Sequence, residues 1–130
     1  MNAGNLLLGT SAIVLLGFGW MVMDVNSPRH LAATPDMLNT AFASDKPVLL
    51  EFYADWCGPC KMVGPMVENL ALELHGQAEV LRFNVDTNQE MAAQYGVHGI
   101  PCFIAFRQGK EVARHAGTLD SAGMRAMMGL

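Results

Sequence analysis

The chain has 130 residues, of which 52% are hydrophobic, and a formal net charge of −4. This length has room for one globular domain of ordinary size and a short appendage. The mild acidity and the lack of any Lys/Arg cluster exclude a surface that binds nucleic acid or anionic lipid through charge. Three cysteines also exclude a disulfide-dense secreted mini-domain, which would carry more of them.

The first 23 residues contain no charged side chain, and residues 6–23 read LLLGTSAIVLLGFGWMVM. As a helix, this stretch is about long enough to cross the hydrocarbon core of a bilayer. A buried core helix would show a polar face, and a signal peptide would begin with Lys or Arg and carry a shorter apolar region. We therefore expect residues 1–26 to be an N-terminal transmembrane anchor with its connector. Cleavage near His30–Ala33 is the alternative, and residues 27–130 form the globular domain in either case.

Beyond the connector, apolar spacing predicts alternating helices and strands. The predicted elements are a helix over 34–44, central strands over 47–54 and 78–86 with a long helix over 58–74 between them, a short helix over 88–97, a hairpin of strands 102–107 and 110–115, and a weak last helix over 119–130. Thr34 is a candidate N-cap with Pro35 at the first helical position. Parallel strands joined by helices, followed by a hairpin, indicate a three-layer α/β domain with a mixed sheet.

Cys57 and Cys60 stand two residues apart in the stretch DWCGPCK, at the predicted start of the long helix. In that position their side chains come within disulfide range, and the helix N-terminus favours a thiolate at Cys57, the expected nucleophile. Cys60, one turn further in, is the expected resolving thiol, and Gly58 and Pro59 allow the tight turn into the helix.

Two other uses of the pair are less consistent with the sequence. A zinc site would need a second such pair or nearby histidines, and the remaining Cys and His residues are scattered. A permanent disulfide across a two-residue gap would remove little chain entropy. The spacing therefore favours repeated oxidation and reduction.

The segments FYADWCGPCKMVGP and VDTNQEMAAQYGVHGIPCFIAFRQGK resemble the thioredoxin family, over roughly residues 47–117. The resemblance implies the thioredoxin fold, a central mixed β-sheet flanked by helices. It also implies that Cys57 attacks a substrate disulfide and that Cys60 displaces the reduced product. Trp56 would shield the site and offer an apolar lip to substrates, and the Gly58–Pro59 pair is the one that reducing thioredoxins carry.

The resemblance assigns a role to one charged residue in the first predicted strand. Glu51 stands where the family has a buried aspartate that assists proton transfer at the resolving cysteine. Burial would raise the pKa of this carboxyl toward neutrality, as a proton shuttle requires. The alternative is an edge-facing acid that pairs with Arg82, which occupies the position of a family lysine.

Three further positions follow from the same resemblance. Ile100–Pro101 is expected to be a cis peptide bond in a loop that faces the cysteines and pairs with an extended substrate. Gly117 matches a small residue that lets substrate approach. Cys102 departs from the family, which has threonine there, so it is either a buried core residue or an accessory thiol near the site.

These observations predict a membrane-anchored protein-disulfide reductase that needs no metal or nucleotide cofactor. Its expected partners are protein disulfides and an electron-donating thiol protein, either a thioredoxin reductase or a membrane thiol transporter. Family precedent favours an extracytoplasmic, periplasmic domain, whereas Arg29 alone weakly favours the cytoplasmic side. A disulfide oxidase or isomerase, and a non-catalytic binding module, are the alternative functions.

Overall fold

The computed structural model describes residues 33–130, which form helices and strands in the predicted order. The elements are α1 (Pro35–Phe42), β1 (Val48–Tyr53), α2 (Gly58–Glu73), β2 (Glu79–Asn84), α3 (Gln89–Gln94), β3 (Cys102–Arg107), β4 (Lys110–Ala116) and α4 (Ser121–Met128). The Thr34 hydroxyl accepts a hydrogen bond from the Met37 backbone N–H at 3.4 Å, so α1 begins with the predicted N-cap.

Within residues 33–130 the sheet has the strand order β2-β1-β3-β4. β1 is parallel to β2 and antiparallel to β3, and β3 is antiparallel to β4, which confirms the mixed sheet. The prediction that β2 is central was wrong for this part of the chain. The connection through α3 carries the chain past β1, so the hairpin strand β3 takes the central place and β2 lies at one end of the described sheet.

Each face of the sheet has its own hydrophobic core, because successive side chains of a strand point to opposite faces. On one face α1 and α3 cover one set of strand residues, which are Val48, Leu50, Phe52, Leu81, Phe83, Cys102, Ile104 and Phe106. On the other face α2 and α4 cover Leu49, Phe103 and Ala105. The predicted three-layer arrangement is therefore present in residues 33–130.

The last helix, predicted to be weak, is regular and capped at both ends. The Asp120 side chain accepts from the Gly123 N–H at 2.8 Å, and Gly129 ends the helix in the left-handed conformation. Met124 and Met128 are buried against the sheet. A side chain at Gly123 would collide with Leu119, whose Cδ1 would lie 2.5 Å from a new Cβ. The glycine therefore serves packing at the helix start.

No helix in residues 33–130 has the length and apolar character that a membrane crossing requires. The predicted transmembrane anchor, with its connector, falls in residues 1–26 and lies outside the described residues, as does most of the alternative cleavage region.

Candidate active site

Cys57 and Cys60 lie at the junction between β1 and α2 and form a disulfide in the structure, with Cα atoms 5.2 Å apart. Cys57 is the N-cap of α2, and its Sγ accepts a hydrogen bond from the Cys60 backbone N–H at 3.2 Å. Sulfur at this position faces the free N–H groups and the positive end of the helix dipole, which stabilise a thiolate after reduction. Gly58 and Pro59 occupy the first turn, where the missing N–H of proline costs nothing.

The loop that opposes the disulfide contains the predicted cis peptide bond, Ile100–Pro101. The Ile100 carbonyl oxygen lies 3.9 Å from Cys57 Sγ, so the loop backbone borders the sulfur directly. The Pro101 carbonyl accepts a hydrogen bond from the Gly117 N–H at 2.8 Å, which ties the loop to the end of β4. Gly117 has φ +101°, a conformation that favours glycine, and a Cβ there would have nothing within 4 Å.

Trp56 directly precedes Cys57 in the chain and leaves 69% of its surface exposed. Its indole Nε1–H donates to Asp86 Oδ2 at 3.0 Å. Asp86 lies just beyond β2, whose carboxyl end meets that of its parallel neighbour β1 at the same edge of the sheet. Asp86 was not among the site residues predicted from the sequence. An acidic residue directly after a predicted parallel strand is a signal that could have indicated it.

Glu51 lies in the middle of β1, on the α2 face of the sheet, and is fully buried. It is therefore the buried acid that the sequence predicts, and not an edge residue. The pairing with Arg82 is nevertheless present, because Arg82 stands opposite Glu51 in the β1–β2 register and its Nε lies 2.5 Å from Glu51 Oε2. The other oxygen, Oε1, is buried without a hydrogen-bond partner.

Burial and ion pairing act on Glu51 in opposite directions. Loss of hydration raises the pKa of the carboxyl above its ordinary value of 4.5, while the hydrogen bond and charge of Arg82 oppose that rise. Burial is the larger effect, so the net shift is upward. Arg82 and Cys60 both line one open hollow of about 480 Å³, together with Tyr53 and Gly64.

Cys102 is 3% exposed and packs in the core on the α1 and α3 face, apart from the cluster formed by Tyr53, Ala54 and the two active-site cysteines. Burial raises the pKa of its thiol, an effect that the charge of Arg114 partly opposes. The structure thus agrees with a core residue, which lies in a different hydrophobic cluster from the two disulfide-bonded cysteines. In the described part of the chain, no three His, Cys, Asp or Glu side chains cluster as a metal site would require.

The fold and the cysteine pair at a helix N-terminus define a thiol–disulfide oxidoreductase. Residues 30–129 match the family model described as thioredoxin. The Haemophilus influenzae thioredoxin is 43% identical over 84 residues, which cover 65% of this chain and 78% of that protein. The chain belongs to the thioredoxin family, and it is a protein-disulfide oxidoreductase.

Two further similarities extend this comparison. A Mycobacterium leprae protein named bifunctional thioredoxin reductase/thioredoxin is 46% identical over 82 residues, 63% of this chain and 18% of that protein. A solved structure of a mutant thioredoxin from Halobacterium salinarum NRC-1 has a TM-score of 0.67 at 36% identity, and the match covers 75% of this chain and 84% of that one.

Proposed function

We propose that the protein reduces disulfides of client proteins while anchored to a membrane by its N-terminal segment. The observation that carries the reductive chemistry is the Cys57–Cys60 disulfide at the start of α2, with the Ile100 carbonyl 3.9 Å from Cys57 Sγ. An open loop backbone beside the attacking sulfur suits an extended client segment, which would pair with it as an added strand.

The reaction begins from the dithiol. The Cys57 thiolate attacks one sulfur of the client disulfide, so that a mixed disulfide forms and the other client sulfur leaves as a thiolate. Cys60 then loses its proton and attacks Cys57 Sγ, which releases the second client thiolate and closes the Cys57–Cys60 disulfide. Two electrons pass to the client, and a thiol donor must return them before the next cycle.

Glu51 is the proposed acceptor of the Cys60 proton. Its carboxyl is buried, its pKa is raised by burial, and one of its oxygens has no hydrogen-bond partner. A carboxylate with a raised pKa is a better base near neutral pH than a carboxylate with an ordinary pKa. The exposed Trp56, next to Cys57 in the chain, and Gly117, which is bonded to the Pro101 carbonyl, would contact the client segment.

The proposed anchor rests on residues 1–26 of the sequence, and the proposed compartment rests on the precedent of thioredoxin relatives with an apolar N-terminal segment. The uncharged stretch has the length of a membrane helix, and we propose that it holds the domain on the extracytoplasmic, periplasmic side. A membrane thiol transporter would then supply electrons. The Mycobacterium leprae relative is named for both a reductase and a thioredoxin, which supports the other donor, a thioredoxin reductase on the cytoplasmic side.

The redox potential of the cysteine pair tests the direction of the reaction. The full chain in detergent micelles would be equilibrated with defined dithiol/disulfide buffers, and the two cysteines quantified by alkylation. We expect a value near −270 mV, about that of reducing thioredoxins. A value of roughly −120 to −180 mV would instead assign the protein to the oxidases or isomerases. Membrane fractions washed with alkaline carbonate would test the anchor, because an anchored protein stays in the pellet.

A further inference from the structure

Four residues surround the guanidinium group of Arg82. Nε contacts Glu51 Oε2, and Nη1 donates to Glu68 Oε1 of α2 at 3.0 Å. The guanidinium carbon lies 4.3 Å from the centre of the Tyr53 ring. On the remaining side Nη2 faces Gly64 of α2, where an added Cβ would lie 3.2 Å from it.

Gly64 is an unexpected residue at that place. It is buried in the second turn of a long helix, where glycine costs stability relative to alanine. Its backbone does not have the positive φ that would require glycine. A Cβ at 3.2 Å from Nη2 and 3.7 Å from the guanidinium carbon would push the group outward by a few tenths of an ångström. The missing side chain therefore leaves the space that the guanidinium occupies.

We propose that Gly64 is a positioning residue for the active site. Because Gly64 has no side chain, the Arg82 guanidinium can lie against α2 and pair with Glu51 Oε2, which leaves Glu51 Oε1 as the oxygen that exchanges a proton with Cys60. This inference rests on the proposed role of Glu51. It concerns how α2 supports the acid, since Gly64 touches neither the client nor the sulfur atoms in this assignment.

The geometry explains why displacement of Arg82 would change the chemistry. An arginine side chain keeps its charge at all accessible pH values, so only its distance from Glu51 can vary. The charged groups that face Glu51 are Arg82 from β2 and Glu68 from α2, and they act in opposite directions on its ionisation. If Arg82 moves away, the repulsion from Glu68 and the burial remain while the attraction weakens. The carboxyl then ionises at higher pH.

The test compares Gly64→Ala and Gly64→Leu with the parent chain, in the full-length protein in detergent micelles. The titration of the Glu51 side-chain carboxyl would be followed by carbon NMR in the oxidised state and assigned by its loss in Glu51→Gln. We expect the midpoint to rise by about half a pH unit in Gly64→Ala, roughly threefold in the ionisation equilibrium, and further in Gly64→Leu. An unchanged midpoint in both variants would overturn the proposal.

Two controls separate positioning from a general effect on the helix. Asn69→Ala places the same better helix former at an exposed position of α2, and it should leave the midpoint unchanged. In an Arg82→Lys background, where the planar guanidinium is absent, Gly64→Ala should lose most of its effect. An equal shift in both backgrounds would refute the action through Arg82.

The same variants separate this inference from the proposed proton role. The pH profile of disulfide reduction should move with the NMR midpoint if Glu51 accepts the Cys60 proton. If the midpoint moves and the profile does not, the proton-accepting part of the proposal fails and Glu51 is not the base. If Glu51→Gln alters the profile while Gly64→Ala moves neither quantity, the role of Glu51 stands and the positioning role of Gly64 is wrong.

Discussion

Replacing Arg82 by methionine should destabilise the domain strongly at pH 8 and much less at pH 5. Arg82 is 8% exposed and is the hydrogen-bond partner of Glu51, which is fully buried. Methionine keeps much of the side-chain volume but removes the charge. Glu51 must then either stay ionised in the core without a counter-ion or take up a proton.

The size of the effect follows from the contacts that Arg82 makes. The ion pair with Glu68 is partly exposed and contributes at most about 1 kcal/mol, and the contact with the Tyr53 ring is worth about as much. Removing one partner of a buried ion pair costs about 3 to 5 kcal/mol. Together these contributions predict a loss of about 5 kcal/mol or more at pH 8, which corresponds to a fall of roughly 20 °C or more in Tm for a domain of this size. At pH 5, where Glu51 can take up a proton, only the first two contributions remain, and we expect a loss of about 2 kcal/mol or less.

The sign of the pH dependence follows from proton binding. The folded-state pKa of Glu51 is raised, so between the unfolded and folded values the folded state binds more protons than the unfolded state. The contribution of Glu51 to the free energy of unfolding is therefore greatest below its unfolded-state pKa and falls as the pH rises toward its folded-state pKa. Without Arg82 the folded-state pKa of Glu51 rises further, which extends the fall to higher pH.

Urea unfolding of the oxidised protein at pH 5 and pH 8, followed by circular dichroism, measures this difference. Arg125→Met is a matched control, because it removes an exposed ion pair with Glu73 and should cost less than about 1 kcal/mol at either pH. In a Glu51→Gln/Arg82→Met double variant the additional loss at pH 8 should disappear. An equal loss at both pH values in Arg82→Met would refute the argument.

Other substitutions test the roles of the remaining residues. Cys57→Ser should abolish disulfide reduction while the circular dichroism spectrum stays unchanged, and retained turnover would exclude Cys57 as the nucleophile. Cys60→Ser should accumulate covalent mixed disulfides with clients on non-reducing gels, and their absence would contradict the resolving role. Asp86→Ala removes the hydrogen bond to Trp56, worth about 1 kcal/mol, and should slow reduction of insulin about fivefold while sparing a small aromatic disulfide. Equal slowing of both substrates would argue against a client-binding role for the indole. Cys102→Val should preserve the rate within about twofold and cost less than about 1.5 kcal/mol, as a core substitution of similar volume does; a large loss of rate at unchanged stability would revive the accessory-thiol hypothesis.

The parts of the site that sequence predicted are those with local signals. The N-cap position of Cys57 and the turn of helix to Cys60 depend on residues within one stretch of chain. The cis bond at Ile100–Pro101 was predicted from a resemblance carried by a short segment, and the structure has it. The burial of Glu51 followed from the apolar residues around it in one strand.

The features that could not be predicted from the sequence depend on which elements become neighbours in the fold. The alternation in β2 predicted a strand but contained no information on its place in the sheet, which the crossover through α3 decides. The Trp56–Asp86 hydrogen bond arises because β1 and β2 end at the same edge. Likewise, the contact between Gly64 and Arg82 joins a helix to a strand, so a single glycine in the helical pattern gave no sign of its neighbour.

The outer edge of β4 affects how the domain behaves at high concentration. In residues 33–130 this strand pairs only with β3, and its unpaired backbone groups could recruit a strand of another molecule. Lys110, Glu111 and Arg114 place charges of both signs along that edge, and a register shift between Ala105 and Phe106 interrupts the regular ladder beside it. A flat edge without such charges is a template for aggregation, whereas a charged and irregular one resists it. Both features of this edge therefore oppose the pairing of β4 with a strand of a second molecule.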